Sequence, residues 1–206
     1  MTSKRIITAL TAVALTGLLL TGCTSTTGPT PNPSTASPTP TATAPTSITG
    51  EAPKDEDEAI DKAKATITLL LDVWEQVDAT GGNSPELFDV VATGRMLSRV
   101  QEDASRTANG PILNEDGESI EGQATVQGRI DFEPTTAYGQ EYEGIANGLV
   151  IVPGCQDASG RITTTADGKP AMQNPNPRNE VEFHVIYDAE TKTWLVNDRI
   201  DLGTTC

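Results

Sequence analysis

A carboxylate or imidazole becomes a general acid or base when apolar walls shift its pKa toward working pH and a donor waits for a developing oxyanion. Asp198 is placed to meet the first condition, because strand alternation puts it on one face with Trp194, Val196 and Ile200. Its other reading is a strand-end carboxylate paired with Arg199 or a backbone amide. Tyr187 shares an apolar face with Val181, Phe183 and Val185, so it offers either a pocket hydroxyl or a core tyrosine bonded at its tip. His184 lies on the opposite face with Glu182, Ile186 and Asp188, and the pattern sends it toward solvent or a partner. Asp198 and Tyr187 are therefore candidates, not an assembled catalytic set.

Other chemistries have less foothold. Asn114-Glu115-Asp116-Gly117 looks like part of a calcium loop, but setting Gly117 at loop position 6 puts Ile112 and Gln123 where the first and last ligands belong. A single His and no Cys-x-x-Cys leave no zinc set. The chain has no Walker A loop, dinucleotide glycine fingerprint, His-Glu-x-x-His or Gly-x-Ser-x-Gly. No metal and no cofactor is expected.

The elements that must position these residues follow from periodicity. Asp55, Glu56, Asp57 and Glu58 precede Ile60, Ala63, Ile67, Leu70, Leu71, Trp74 and Val77, an amphipathic helix with acids at its positive end and Gly81-Gly82 as its stop. Ser84-Pro85-Glu86 opens a short helix carrying Leu87, Phe88 and Val91. Thr93-Gly94 interrupts it, and Met96, Leu97 and Val100 continue in a third helical piece that ends at Asn109-Gly110-Pro111. Strands follow. Val126, Ile130 and Phe132 alternate with Thr125, Gln127, Arg129 and Asp131 as one half-buried strand. Then come 149–152, 181–187 and a last strand through Trp194, Val196 and Ile200, with Asp188 to Lys192 as a hairpin turn. The hairpin before Cys155 turns either at Asn147-Gly148 or within 139–143. Residues 156–179, with Pro170, Pro175 and Pro177, are too polar and broken for core and read as a functional loop or a disordered one.

Near the amino terminus, Lys4 and Arg5 lead into the apolar run 6–20, which closes on Leu20-Thr21-Gly22-Cys23. This resembles the lipobox of bacterial lipoproteins, with a run too short and too rich in Thr and Gly to be a membrane-spanning helix. The resemblance implies cleavage after residue 22, a lipid on the Cys23 thiol, and attachment to the cell membrane on its extracytoplasmic side. Residues 23–54 then read as the lipidated Cys and a solvated stalk, since 20 of the 27 residues from Thr24 to Gly50 are Thr, Ser or Pro. In polyproline geometry such a stalk reaches about 80 to 90 Å. With Cys23 assigned to lipid, Cys155 and Cys206 remain as a pair, and outside the cell a pair reads as a disulfide. Losing 1–22 leaves 12 basic against 29 acidic residues, a formal charge of −17. That surface excludes nucleic acid and favours the lipid, an envelope protein or a small apolar ligand as partner.

All eight aromatic residues lie after position 70, so one domain over 55–206 is the economical count. Helices first and antiparallel strands after make an α+β order. The 55–77 helix, Gly94-x-x-Leu97-x-x-Val100, Cys155-Gln156-Asp157-Ala158-Ser159, Trp194-Leu195-Val196 and the terminal Cys206 together resemble the NTF2-like (SnoaL-like) cone, in particular actinobacterial envelope lipoproteins of that type. The resemblance implies N-terminal helices packed on a curved antiparallel sheet with one disulfide. Enzymes of that fold carry Asp, Tyr or His in the mouth of the cone, which is the role it suggests for Asp198 and Tyr187. Three expectations follow: a tethered module binding a ligand or an envelope protein, an isomerase or dehydratase using Asp198, or a passive envelope structural protein.

Overall fold

A computed structural model describes residues 45–206. Cys23, the leader 1–22 and the stalk up to residue 44 lie outside the described residues. The fold is α+β: a curled antiparallel half-barrel sheet carries helices on its inner face. In chain order it runs β1 (Ile48–Thr49), α1 (Glu56–Ala79), a 3-10 helix (Pro85–Val90), α2 (Gly94–Asn109), β2 (Ile112–Leu113), β3 (Ser119–Ile120) and β4 (Thr125–Gln127). It continues through β5 (Asp131–Pro134), β6 (Tyr138–Tyr142), β7 (Ile145–Asp157), β8 (Ile162–Thr164), β9 (Arg178–Asp188) and β10 (Thr193–Thr205). The main sheet has the order β1-β10-β9-β7-β5, with β6 beside the first half of β7, and β2–β3 and β4–β8 form two small sheets.

α1 starts where its acids predict. Asp55 accepts a hydrogen bond from the Glu58 amide at 2.9 Å, and Glu58 accepts one from the Lys54 amide in return. Its buried stripe of Ala59, Ala63, Ile67, Leu70 and Trp74 packs over the inward residues of the sheet, Val150, Val152, Phe183, Val185 and Trp194. The edge-to-face pairs Trp74–Phe88 and Phe132–Phe183 close the two ends of this core. Cys155 and Cys206 are joined by a disulfide across a separation of 51 residues. No helix among the described residues is long and apolar enough to cross a membrane.

Five details depart from the periodicity reading. Composition extends the stalk to residue 54, yet Ile48 and Thr49 pair with Trp194 and Thr193, and Gly50 bonds to Lys192 and Tyr187. Ile48 is the one larger apolar residue of the Thr/Pro tract, and it packs against the core. The helix at Pro85 is a 3-10 turn in which the Ser84 side chain makes no cap bond. The single strand expected through 125–132 is two, broken at Gly128, whose φ of 79° is left-handed. The hairpin turns at Glu143-Gly144, beside the second of the two proposed sites, while Asn147-Gly148 lies inside β7. Residues 156–179 contribute the end of β7, all of β8 and the start of β9.

A sixth departure bears on chemistry. Val196 pairs with Val185 but Asp198 pairs with His184, so Asn197 is an extra residue on β10. From there the facing of the strand inverts. Arg199 falls opposite the inward Phe183, and Ile200 falls opposite Glu182. Trp194, Val196, Asp198 and Ile200 therefore do not share one face.

Candidate functional site

The sequence candidates are not brought together. Tyr187 is buried on the inward face and its hydroxyl donates to the Gly50 carbonyl at 2.9 Å, so it acts as a core tyrosine bonded at its tip. Asp198 is 3% exposed, on the His184 side of the bulge. One of its oxygens accepts from the Arg95 guanidinium and the other from the Arg199 amide at 2.9 Å. Both oxygens are thus committed, and Asp198 lines none of the principal hollows among the described residues. His184 sits on the outer sheet face between Ile151 and Asp198, 3.8 Å from a Glu182 oxygen; its Nε2 is buried rather than turned to solvent and has no hydrogen-bond partner among the described residues. The loop at Asn114 is a β2–β3 turn. The buried Asn114 amide accepts from the Asp116 and Glu118 amides and donates to Glu118 and Asp167. Among the described residues no group of three or more His, Cys, Asp or Glu side chains could hold a metal.

The constellation that the fold does assemble centres on Arg161. α1 continues its buried stripe one turn past Trp74 to Asp78, and α2 presents Asp103 opposite. Gly128 breaks the neighbouring strand, and a Cβ there would lie 1.9 Å from the Gly160 carbonyl oxygen. Only a residue without that atom lets the 158–161 turn dock and deliver Arg161 between the helices. The Arg161 guanidinium donates to both Asp78 oxygens at 2.7 and 2.9 Å and to Asp103 at 3.1 Å. The Trp74 indole donates to the same Asp103 oxygen at 3.2 Å, and Arg106 stands 3.7 Å from the other. Burial pushes the Asp78 carboxyl above its usual range, with Arg161 pulling it back and the Asp103 charge adding to the rise. Burial works against the Arg161 charge, but the hydrogen bonds and charges of Asp78 and Asp103 together outweigh it and hold the guanidinium proton more firmly than usual.

Above this triad lies a groove. One hollow of about 320 Å³ is bounded by the 158–163 and 171–177 segments, and a second of about 560 Å³ extends it over Asp103, Arg106 and Ile112. Arg161, Thr163, Met172 and Asn174 line both. Arg161 spends Nε and Nη2 on the carboxylates and leaves Nη1 without a partner among the described residues. Asn174 accepts from the Asn176 amide and keeps its own NH2 free among those residues, and Thr163 and Gln173 enter no side-chain hydrogen bond there. Met172, 53% exposed, stands at the lip with Leu113 beside it. Polar groups without side-chain partners thus line the hollows, and among the described residues lining them no nucleophile is hydrogen-bonded to a base.

The groove is not legible in sequence because Arg161 falls in a stretch that reads as loop. The available signal was Asp78, which occupies the apolar stripe at the spacing Ile67, Leu71, Trp74, Asp78. A carboxylate in a buried stripe demands a cation from elsewhere in the chain.

No protein-family model matches the chain, and no curated protein matches it. Among solved structures, the intermembrane space region of chloroplast protein ARC6 is similar over 69% of this chain and 97% of that chain, with a TM-score of 0.43 and 11% sequence identity. A likeness that distant carries no argument about this chain's activity.

Proposed function

We propose that this chain is an extracytoplasmic, lipid-tethered binding module of NTF2-like type that holds its ligand in the groove above Arg161. The observation that carries the reading is the polar lining of two overlapping hollows of about 320 and 560 Å³: Arg161, Thr163 and Asn174 line both, Gln173 lines the first, and Arg161 Nη1 and the Asn174 NH2 have no partner among the described residues. Those volumes fall within the span of small-molecule sites. The tether rests on Leu20-Thr21-Gly22-Cys23 and on the Thr/Pro tract, and helices on the inner face of a curled antiparallel sheet support the NTF2-like assignment. A catalytic role for Asp198 draws no support from its geometry, because both carboxylate oxygens are held by Arg95 and Arg199.

A photo-crosslinking side chain at Met172 in the full chain, irradiated on its own membranes, tests the site. Ile162 serves as control because it is equally exposed, at 53%. Adducts at position 172 and not at 162 are expected; equal labelling at both, or none at either, overturns the groove as the site. Acyl mass on Cys23 and loss of residues 1–22 are the expected state of the mature protein, and a chain that retains the leader overturns the tether.

A further inference from the structure

We infer that the ligand of the Arg161 groove is a neutral saccharide of about two rings, an inference that rests on the binding-module reading. Four observations narrow the chemistry. The first is charge. Arg161 is matched by two carboxylates within 3.1 Å, and Arg106 stands beside them, so the guanidiniums of Arg161 and Arg106 are balanced by Asp103 in the lining and by the buried Asp78 beneath it. Such a site has no spare field for an anion, and the formal charge of −15 on the whole chain repels one at a distance. Cations meet the guanidiniums that line the second hollow. A neutral molecule escapes both penalties.

The second observation is the mixture of hydrogen-bonding types. Arg161 Nη1 only donates, whereas Thr163, Gln173 and Asn174 offer donors and acceptors together. A sugar hydroxyl is likewise both donor and acceptor, so a ring bearing several of them matches groups of either kind. The third is the apolar part of the lining. Ala158, Ala171, Met172 and Pro177 give the first hollow patches suited to the C–H faces of a pyranose ring. An unbranched Met at the lip adapts its shape to such a face.

The fourth observation separates a sugar from a peptide. An extended peptide gains its affinity by adding a strand to a free sheet edge. Here β8 has none to give. One edge pairs with β4, and the other is taken by Pro170 and by Ala171, whose amide donates to the Thr163 carbonyl at 2.9 Å. The two hollows overlap at Arg161, Thr163, Ala171, Met172 and Asn174, and their volumes of about 320 and 560 Å³ leave room for more than one pyranose ring.

The test titrates the full chain, 15N-labelled and in detergent, with cellobiose, maltose and chitobiose. Digalacturonate supplies the anionic comparison and end-blocked trialanine the peptide comparison. Each is raised to about 10 mM, the range in which weak small-ligand sites are read. A neutral disaccharide is expected to shift the Arg161 Nε–H and Asn174 side-chain resonances. Asn174→Ala is expected to weaken it about five- to tenfold, the factor carried by one hydrogen bond, and Met172→Ala by a similar factor through the apolar contact it removes. Met172 is 53% exposed and Asn174 is an exposed loop residue, so both variants keep the fold, and unchanged thermal unfolding verifies it. Binding of trialanine or digalacturonate without a neutral sugar overturns the saccharide and leaves the module standing. Sugar binding that ignores both substitutions overturns the inference as well. Silence from every probe overturns the saccharide, and silence joined to an empty Met172 crosslink takes the binding module down with it.

Discussion

Replacing Arg161 by Met removes the cation from a buried triad whose side chains are 19% exposed for Arg161, 6% for Asp78 and 25% for Asp103. Asp78 then loses both of its bonds and stays buried with Asp103 as its nearest charge. Breaking a buried pair from one side costs about 3 to 5 kcal/mol, because a desolvated charge is left without compensation. Urea unfolding of the oxidised chain at pH 7, followed by tryptophan fluorescence, reads the loss. Trp74 reports locally, since its indole donates to Asp103. With a slope of about 2 kcal/mol per molar urea, the midpoint falls by roughly 1.5 to 2.5 M. The thermal midpoint falls by roughly 6 to 20 °C for a unit of this size. The double variant Arg161→Met, Asp78→Leu removes the orphaned charge as well as its partner, so it should return to within about 2 kcal/mol of the parent. A cost below about 1 kcal/mol for Arg161→Met, or strictly additive single and double variants, would refute the argument that the pair is buried and coupled.

Other perturbations address the staple, the strap and the turns. Removing the disulfide by Cys155→Ala with Cys206→Ala, across 51 residues, should cost about 4 kcal/mol in the chain-entropy model; a urea midpoint unchanged by the substitutions contradicts it. Tyr187→Phe deletes the bond to the Gly50 carbonyl, and a loss of about 1 kcal/mol is expected with faster amide exchange at Ile48 and Thr49, whereas unchanged exchange there separates β1 from Tyr187. Hydroxyls of Ser159, Thr165 and Thr191 hold the carboxyls of Asp157, Asp167 and Asp188 below the ordinary range. A depressed folded pKa gives stability that is present above the unfolded pKa and lost as pH falls through the folded one, so the urea midpoint should drop below about pH 4. Asp188→Asn should flatten that decline, and an identical pH profile counts against the assignment. Asp78 acts in the opposite sense: its raised pKa means the folded state takes up that proton first, and acidification from neutral pH relieves the cost of keeping it charged.

Where burial had a regular period, the sequence was readable. The stripe from Ala63 to Val77 specified α1 because one helical face meets one sheet, and Val181 to Tyr187 specified β9 because every second residue is buried in the core. Legibility ended wherever a residue served a contact made far along the chain. Gly128 looks like an ordinary strand residue until the Gly160 carbonyl occupies the place of its missing side chain. Ile48 looks like stray hydrophobicity in a Thr/Pro tract until β10 offers it an edge.

The candidate site failed to be legible for a related reason. Alternation assigns faces only while the ladder stays in register, and one extra residue reverses everything beyond it. Asn197 is that residue. It turned Asp198 from a presumed pocket carboxylate into the partner of Arg95, and it carried Arg199 inward to meet Gln156. Asp78 shows the converse. It sat in plain view on a helical stripe, but a carboxylate there has meaning only once a cation is found, and Arg161 arrives from 83 residues away through a turn that composition marks as loop. In a chain this acidic, the informative residues are the arginines that acids have already claimed. The fold must spend long-range contacts to bring each one in, and Arg161 shows the result: two carboxylates from two helices hold Nε and Nη2 of a side chain delivered by a distant turn.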